Sequence, residues 1–349
     1  MREALIILTP GFPTDETDST CLPPQQVFVR SLQQLHPETE IIVISFQYPY
    51  QKKEYEWYGV KVISFGGKNK GGLSRRLLWN RVYQKLWDIH QQKKIKAILS
   101  FWYGECGYVG KKFAEKNKLR HFSWILGQDA KKDNRFVKRS RPRADELIAL
   151  SDFIQDEFEK NHAIRPQWIV PPGIDINMFA EYEGRKDIDV FAAGSLIPLK
   201  RYTIFMEVIA ALKKEKPSIN AVLAGNGPEK EKLEQLIIEY QLEGNVILVG
   251  ELPHAEVLAL MQKAKVFLHP SSYEGFGVVC IEALYAGAHI ISFCKPIKEE
   301  IMNWHVVSDT SSMIDITRRL LQDKQDYKPV LFNSIQNSVR KMWDVLSVV

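Results

Sequence analysis

Cysteine is scarce in this 349-residue sequence, and its four copies, Cys21, Cys106, Cys280 and Cys294, form no C-x-x-C pair and keep no histidine spacing that would build a zinc site. That excludes a disulfide-framed secreted scaffold and points to a reducing compartment. No apolar run approaches the roughly 18 residues of a membrane-spanning helix. The longest apolar region, Val278 to Cys294, is interrupted by Glu282 and His289. The opening MREALIILTPGFP holds an apolar run too short for the core of a secretory signal, and it reads as strand then loop. Internal repeats and low-complexity tracts are missing. So is a complete dinucleotide fingerprint, because Lys230 stands where G-x-G-x-x-G needs its third glycine after Gly225 and Gly227.

What is present fits a soluble globular chain: 45% hydrophobic and 26% charged residues. Its length predicts two domains. The net charge of +5 is unevenly spread, with 28 Lys and Arg against 19 Asp and Glu in residues 1–170, and 19 against 23 in the remainder. A basic first half fits an acidic partner. On charge alone that partner is nucleic acid or a phosphate-bearing lipid equally well, but the basic run Lys131 to Arg143 carries no recognisable nucleic-acid module. The expectation is therefore no nucleic acid, a cytoplasmic location, and peripheral contact with an anionic membrane on its inner face.

Apolar runs at Ala4–Leu8, Ile41–Phe46, Val60–Phe65, Ile95–Ser100, His121–Leu126 and Glu146–Leu150 alternate with longer amphipathic segments. The same rhythm returns at Asp189–Ala193, Asn220–Ala224, Asn245–Val249, Lys265–His269 and Ala288–Phe293. Such alternation predicts βα units in parallel sheets, hence an α/β fold of two doubly wound, Rossmann-like domains facing across a cleft. The linker is expected in WIVPPGIDINMF, where Pro171, Pro172 and Gly173 break helix and strand alike. Ser334 to Val348 has helical, amphipathic spacing.

The most informative stretch is FLHPSSYEGFGVVCIEALYAGAHII, Phe267 to Ile291. A buried strand ends near His269, turn chemistry runs to Gly277, and helical spacing resumes at Val278. The first N–H groups of such a helix, with its dipole, favour an anion. Glycine lets a phosphate approach the backbone. Glu274 and Glu282 flank that point, and carboxylates bind hydroxyls well. A diphosphate with hydroxyl-bearing groups on both sides, a sugar nucleotide, suits the pattern.

These residues resemble the donor motif of retaining GT-B glycosyltransferases, most closely glycosyltransferase family 4. The resemblance implies that Glu274 contacts hydroxyls of the transferred sugar, that Glu282 contacts the ribose, and that the backbone of Gly275, Phe276, Gly277 and Val278 cradles the diphosphate. It places a lysine in the loop GSLIPLKR, where Lys200 matches, Ser195 replaces the usual arginine, and Arg201 is the candidate substitute. A lysine there neutralises the leaving diphosphate without a metal ion. Gly225 and Asn226 are expected beside the nucleotide, and Leu252 at the base. From the first domain the resemblance implies Gly11 near the diphosphate and Asp129 as acceptor of a hydrogen bond from the incoming hydroxyl. Trp102, Tyr103 and Glu105 are expected to line a sugar-binding wall, with core packing as the alternative for the aromatics. The pair Asp187 and Asp189 imitates a D-x-D metal motif but precedes a strand, so no metal role is expected.

The implied domains are 1–170 for the acceptor, 171–333 for the nucleotide sugar, and a terminal helix, 334–349, packed back on the first. The implied activity is a metal-independent hexosyl transfer, with retention, from a UDP-, GDP- or ADP-sugar to a glycan or lipid-linked acceptor in polysaccharide, lipopolysaccharide or glycolipid synthesis. No cofactor is implied. The loop SFCKPIKEEIMNW lacks the Gly-Gly pair usual after Gly287, which leaves open a non-catalytic nucleotide-sugar-binding protein of the same fold, or a nucleotide-sugar epimerase.

Overall fold

The computed structural model describes residues 3–323 and 325–348. The chain forms two compact units, Met1–Gly173 with Ile335–Val349, and Ile174–Ser334. In unit one, strands β1 (Glu3–Gly11), β2 (Glu40–Tyr48), β3 (Lys53–Trp57), β4 (Val60–Ser64), β5 (Lys94–Phe101), β6 (His121–Ile125), β7 (Leu147–Ala149) and β8 (Trp168–Ile169) form a sheet of order β3-β4-β2-β1-β5-β6-β7-β8. Helices α1 (Pro23–Leu35), α2 (Gly72–Gln92), α3 (Glu105–Asn117), α4 (Arg135–Ser140) and α5 (Asp152–His162) supply the connections. Ala4 to Leu8 and Ile41 to Ile44 are buried without a break, as in a parallel sheet covered on both faces. On α2, Leu78, Val82, Leu86 and Ile89 recur at helical spacing and pack on that core.

The parallel reading fails at one edge: β3 runs antiparallel to β4, with Trp57 opposite Val60 and Lys53 opposite Ser64. Tyr58 and Gly59 both take positive φ (45° and 78°), the geometry of a tight hairpin turn whose twist matches the strands. The sequence KEYEW alternates charged and aromatic residues, which suits an edge strand protected from further pairing and offers no apolar run to detect.

Unit two is a wholly parallel sheet among the described residues: β9 (Ile188–Ala193), β10 (Ala221–Ala224), β11 (Val246–Gly250), β12 (Ala264–His269), β13 (His289–Ser292) and β14 (Trp304–Val306), in the order β11-β10-β9-β12-β13-β14. Its helices are α6 (Tyr202–Lys213), α7 (Lys230–Glu239), α8 (His254–Lys263), α9 (Val278–Tyr285) and α10 (Thr310–Gln322). Strand β9, first in the chain, lies between β10 and β12. The strand order reverses there, so the loops leaving the carboxyl ends of β9 and β12 diverge. Open α/β sheets bind ligands at that switch point.

A last helix, α11 (Ile335–Ser347), belongs to unit one although it follows unit two in sequence. Ile335, Val339, Met342 and Leu346 form its buried stripe. It packs against α1, where the His36 ring stacks on Trp343 with centroids 3.6 Å apart, and Ser338 Oγ donates to the Pro171 carbonyl at 2.7 Å.

Candidate functional site

The loops at the carboxyl end of the second sheet are held together by backbone. Gly194 N–H donates to Ala224 O at 3.0 Å, Leu196 N–H to Asn226 O at 2.9 Å, and Gly225 N–H to Gly250 O at 2.7 Å. Gly225 has φ 146°, and a Cβ added to it would lie 1.9 Å from the Gly194 carbonyl oxygen. No side chain fits between these two turns. Gly225→Ala is therefore expected to cost on the order of 2–4 kcal/mol in urea unfolding and to weaken ligand binding. An unchanged midpoint would show that the turns can separate freely.

The loop after β9 ends in a single 3₁₀ turn, Pro198–Lys200, and the left-handed Arg201 (φ 52°). The loop after β12 is tied to it, because Ser272 N–H donates to Leu199 O at 3.0 Å and Ser271 Oγ to the same carbonyl at 3.2 Å. This anchoring brings Lys200 Nζ to 2.5 Å from Glu274 Oε1, across 74 residues of sequence. His269 Nε2, at the end of β12, reaches the same oxygen at 2.9 Å. Both contacts fall on Oε1, and Oε2 accepts no hydrogen bond among the described residues. Burial pushes the Glu274 carboxyl up, but the hydrogen bonds and charge of His269 and Lys200 outweigh it and hold it down at about 2. Burial also depresses the His269 imidazole, against the pull of Glu274. A neutral His269 with a proton on Nε2 then donates to an ionised Glu274.

Three residues further on, Gly277 (φ 77°) starts α9. The Cys280 N–H turns back to Gly277 O at 2.8 Å, while the N–H groups of Val278 and Val279 stand at the helix start. Phe276 is buried against Phe332, with ring centroids 5.2 Å apart, which fixes the turn from beneath. On the next turn Glu282, 9% exposed, has Oε1 at 2.8 Å from His254 Nε2. His254 opens α8 just after the Leu252 loop, so Glu282 is bound to the loop expected to meet the base. Burial lowers the His254 pKa, but the hydrogen bond and charge of Glu282 outweigh it, and the net shift is upward. A histidine raised on folding contributes stability that is complete below its ordinary 6.5 and fades as pH rises through the higher folded value. Titration of His254 by NMR should show the raised value, and Glu282→Gln should bring it below 6.5 through the burial that remains; an unmoved midpoint would contradict the pairing.

Unit two thus gathers Ser195, Lys200, Arg201, Gly225, Asn226, Leu252, Glu274, Gly275, Phe276, Gly277, Val278 and Glu282 on loops and a helix start at one end of its sheet. Arg201 is exposed, with its guanidinium 5.0 Å from the centre of the Phe293 ring. Asp189 is held by Lys216 and Lys265 at 2.8 and 2.7 Å, at the opposite end of β9. His254 and His269, partners of the two glutamates, were not singled out by the sequence reading; their only signal was position, at a helix start and a strand end.

Gly11 and Asp129 belong to unit one. Gly11 ends β1, and a Cβ there would meet nothing closer than 3.5 Å, so steric demand does not require glycine. Asp129, 7% exposed, accepts N–H groups from Tyr103 (2.8 Å), Gly127 (2.8 Å) and Leu126 (3.1 Å), so both its oxygens already clasp the loops after β5 and β6. Burial pushes its carboxyl up to about 6 against those bonds. The expected sugar-binding wall is corrected here: Tyr103 is fully buried with its hydroxyl 2.7 Å from Ser140 Oγ, and the Glu105 carboxylate takes hydrogen bonds from Gln47 and from Trp79 Nε1. Core packing claimed them because the loop folds inward onto Asp129.

Residues 174–328 match the family model described as Glycosyl transferases group 1. Over 153 residues the chain is 27% identical to the phosphatidylinositol N-acetylglucosaminyltransferase gpi3 subunit of Schizosaccharomyces pombe, covering 43% of this chain and 33% of that protein. It is 30% identical over 161 residues to the MMP alpha-(1->4)-mannosyltransferase of Mycolicibacterium hassiacum, covering 44% and 38%. The matches span about a third of the length of these curated relatives. The crystal structure of Anabaena HepE in complex with UDP and glucose is similar with a TM-score of 0.68 at 15% identity, over 99% of this chain and 95% of that one. The fold is that of GT-B glycosyltransferases, two Rossmann-like α/β units with a group 1 domain as the second.

Proposed function

We propose that this chain is a retaining glycosyltransferase of family 4 type that moves a hexose from a nucleoside diphosphate sugar to an acceptor hydroxyl in glycan or glycolipid synthesis. The observation that carries the reading is the Lys200–Glu274 pair at the switch point of the second sheet, beside the N–H groups that open α9. An anion meeting those N–H groups also meets an ammonium, which is the charge pattern of a bound diphosphate. Glu274 Oε2 supplies an acceptor for a sugar hydroxyl, and Glu282 a second one towards the Leu252 loop. The group 1 match over the same residues and the transferase names of the relatives support this assignment.

In the proposed reaction the bond between the sugar anomeric carbon and the departing phosphate oxygen breaks, and a bond to the acceptor oxygen forms on the same face. The acceptor proton passes to the phosphate oxygen. Lys200 and the α9 N–H groups stabilise the developing charge, and positioning supplies the remainder. Because Lys200 provides that cation, transfer is expected to persist in EDTA.

Thermal-shift screening against UDP-, GDP- and ADP-sugars, followed by product analysis, tests the proposal. A stabilising sugar nucleotide that is consumed to give a glycosylated acceptor with retained configuration is the expected result. An altered free sugar nucleotide formed without acceptor would make the protein an epimerase, and binding without turnover a non-catalytic one.

A further inference from the structure

One cavity lies wholly within unit one, apart from the residues discussed above. It measures about 240 Å³ and is lined by four arginines, Arg75, Arg76, Arg135 and Arg139, with Trp79 and Phe136. The first turns of α2 bring Arg75, Arg76 and Trp79, and the short α4 brings the others at helical spacing. The α4 end is fixed by Asn134, whose Nδ2 donates to the carbonyls of Tyr103 and Asp129 at 2.8 and 2.7 Å. The rings of Trp79 and Phe136 have centroids 6.1 Å apart.

The charge in this cavity is not neutralised from within. Glu105 is the carboxylate nearest to Arg75, 3.9 Å from its Nε, and it already accepts hydrogen bonds from Gln47 and Trp79. Among the described residues Arg76, Arg135 and Arg139 form no ion pair. Arg139 instead lies 4.9 Å over the Tyr108 ring and Arg135 5.3 Å over Phe136, contacts that leave their charge intact. Like charges held this close repel one another, and an anion relieves the repulsion. Guanidinium forks match the oxygens of a phosphate with two donors each. The volume is below the roughly 300–1,000 Å³ of sites that enclose a whole small molecule, so the cavity suits one end of a ligand.

We propose that unit one carries a second anion site, formed by these four arginines, that holds the phosphate or diphosphate ester group of a ligand whose remainder lies outside the cavity. The site is independent of the donor function proposed for unit two. Leu73 and Leu77 on the same face of α2 are 71% and 48% exposed, so the remainder of the ligand meets apolar surface as well as water.

The test uses the full chain in a Lys200→Ala background, so that unit two contributes no lysine contact to phosphate. Inorganic pyrophosphate is titrated by calorimetry into that protein and into the same protein carrying Arg76→Gln and Arg139→Gln. Saturable binding, weakened about tenfold or more by the arginine changes, is expected from the loss of two charged donors. Both arginines are exposed and unpaired, so the melting curve should not move. If it does, Arg76→Lys with Arg139→Lys, which keeps charge and removes the forks, must still weaken binding. Sedimentation with phosphatidylcholine vesicles containing phosphatidic acid separates the sources. Arginine-dependent vesicle binding suppressed by pyrophosphate identifies a lipid headgroup, whereas pyrophosphate binding with no vesicle binding identifies a water-soluble phosphate ester. Binding of both probes that ignores the arginines, or no saturable binding of either, overturns the proposal.

Discussion

Lys200→Ala is expected to lower kcat for sugar transfer by about 10²–10³-fold, the 2–4 kcal/mol typical of a lost donor to a developing oxyanion. The lysine is placed for this by backbone. Ser271 and Ser272 hold the Leu199 carbonyl, and the turn that follows aims Nζ at Glu274, within reach of whatever anion caps α9. In the resting protein Glu274 is its counter-ion. When a diphosphate arrives the ammonium serves both, and as the sugar–oxygen bond breaks the phosphate share grows, so the loss should appear in kcat more than in KM. Rates surviving intact would remove Lys200 from the reaction.

Glu274→Gln should abolish transfer while leaving the affinity for free nucleotide almost unchanged. Its free oxygen is expected to face the sugar, and the amide keeps the shape without the charge that balances Lys200. A second signature concerns stability. A carboxyl held at about 2 in the folded chain, against an ordinary 4.5, contributes stability that is present above 4.5 and lost as pH falls through 2. The parent protein should therefore lose on the order of 3 kcal/mol more than Glu274→Gln over that window in urea unfolding. Equal acid sensitivity would mean that the carboxylate is not held by Lys200 and His269. By contrast Glu282→Ala should weaken the nucleotide itself, because its carboxylate is joined through His254 to the loop after β11.

Much of this was legible in the sequence, for physical reasons that also mark where reading failed. Strands buried on both faces must be continuous apolar runs, so β1, β2, β9 and β12 announce themselves. The start of α9 was visible because only glycine takes φ 77° without strain, and the apolar spacing changes period just beyond it. β3 was not visible, since an edge strand is kept polar, and two- and three-residue strands such as β8 and β14 are too short to show a pattern. Lys200 and Glu274 were each marked by their own loop, but their contact spans 74 residues and is set by strand order, which no local pattern encodes. The same holds for the arginine cavity: the basic run from Lys131 read as a charged face, while Arg75 and Arg76 lie about sixty residues upstream on another helix. Asp129 looked like a free acceptor because sequence does not show which backbone N–H groups will converge on it.

Calorimetric comparison of a nucleoside diphosphate sugar with the bare nucleoside, in the parent chain and in Lys200→Ala, addresses the central claim most directly. The account predicts that the parent strongly prefers the diphosphate sugar and that the preference collapses when Lys200 is removed. Equal affinity for the two ligands in the parent, or a preference untouched by the substitution, would contradict it.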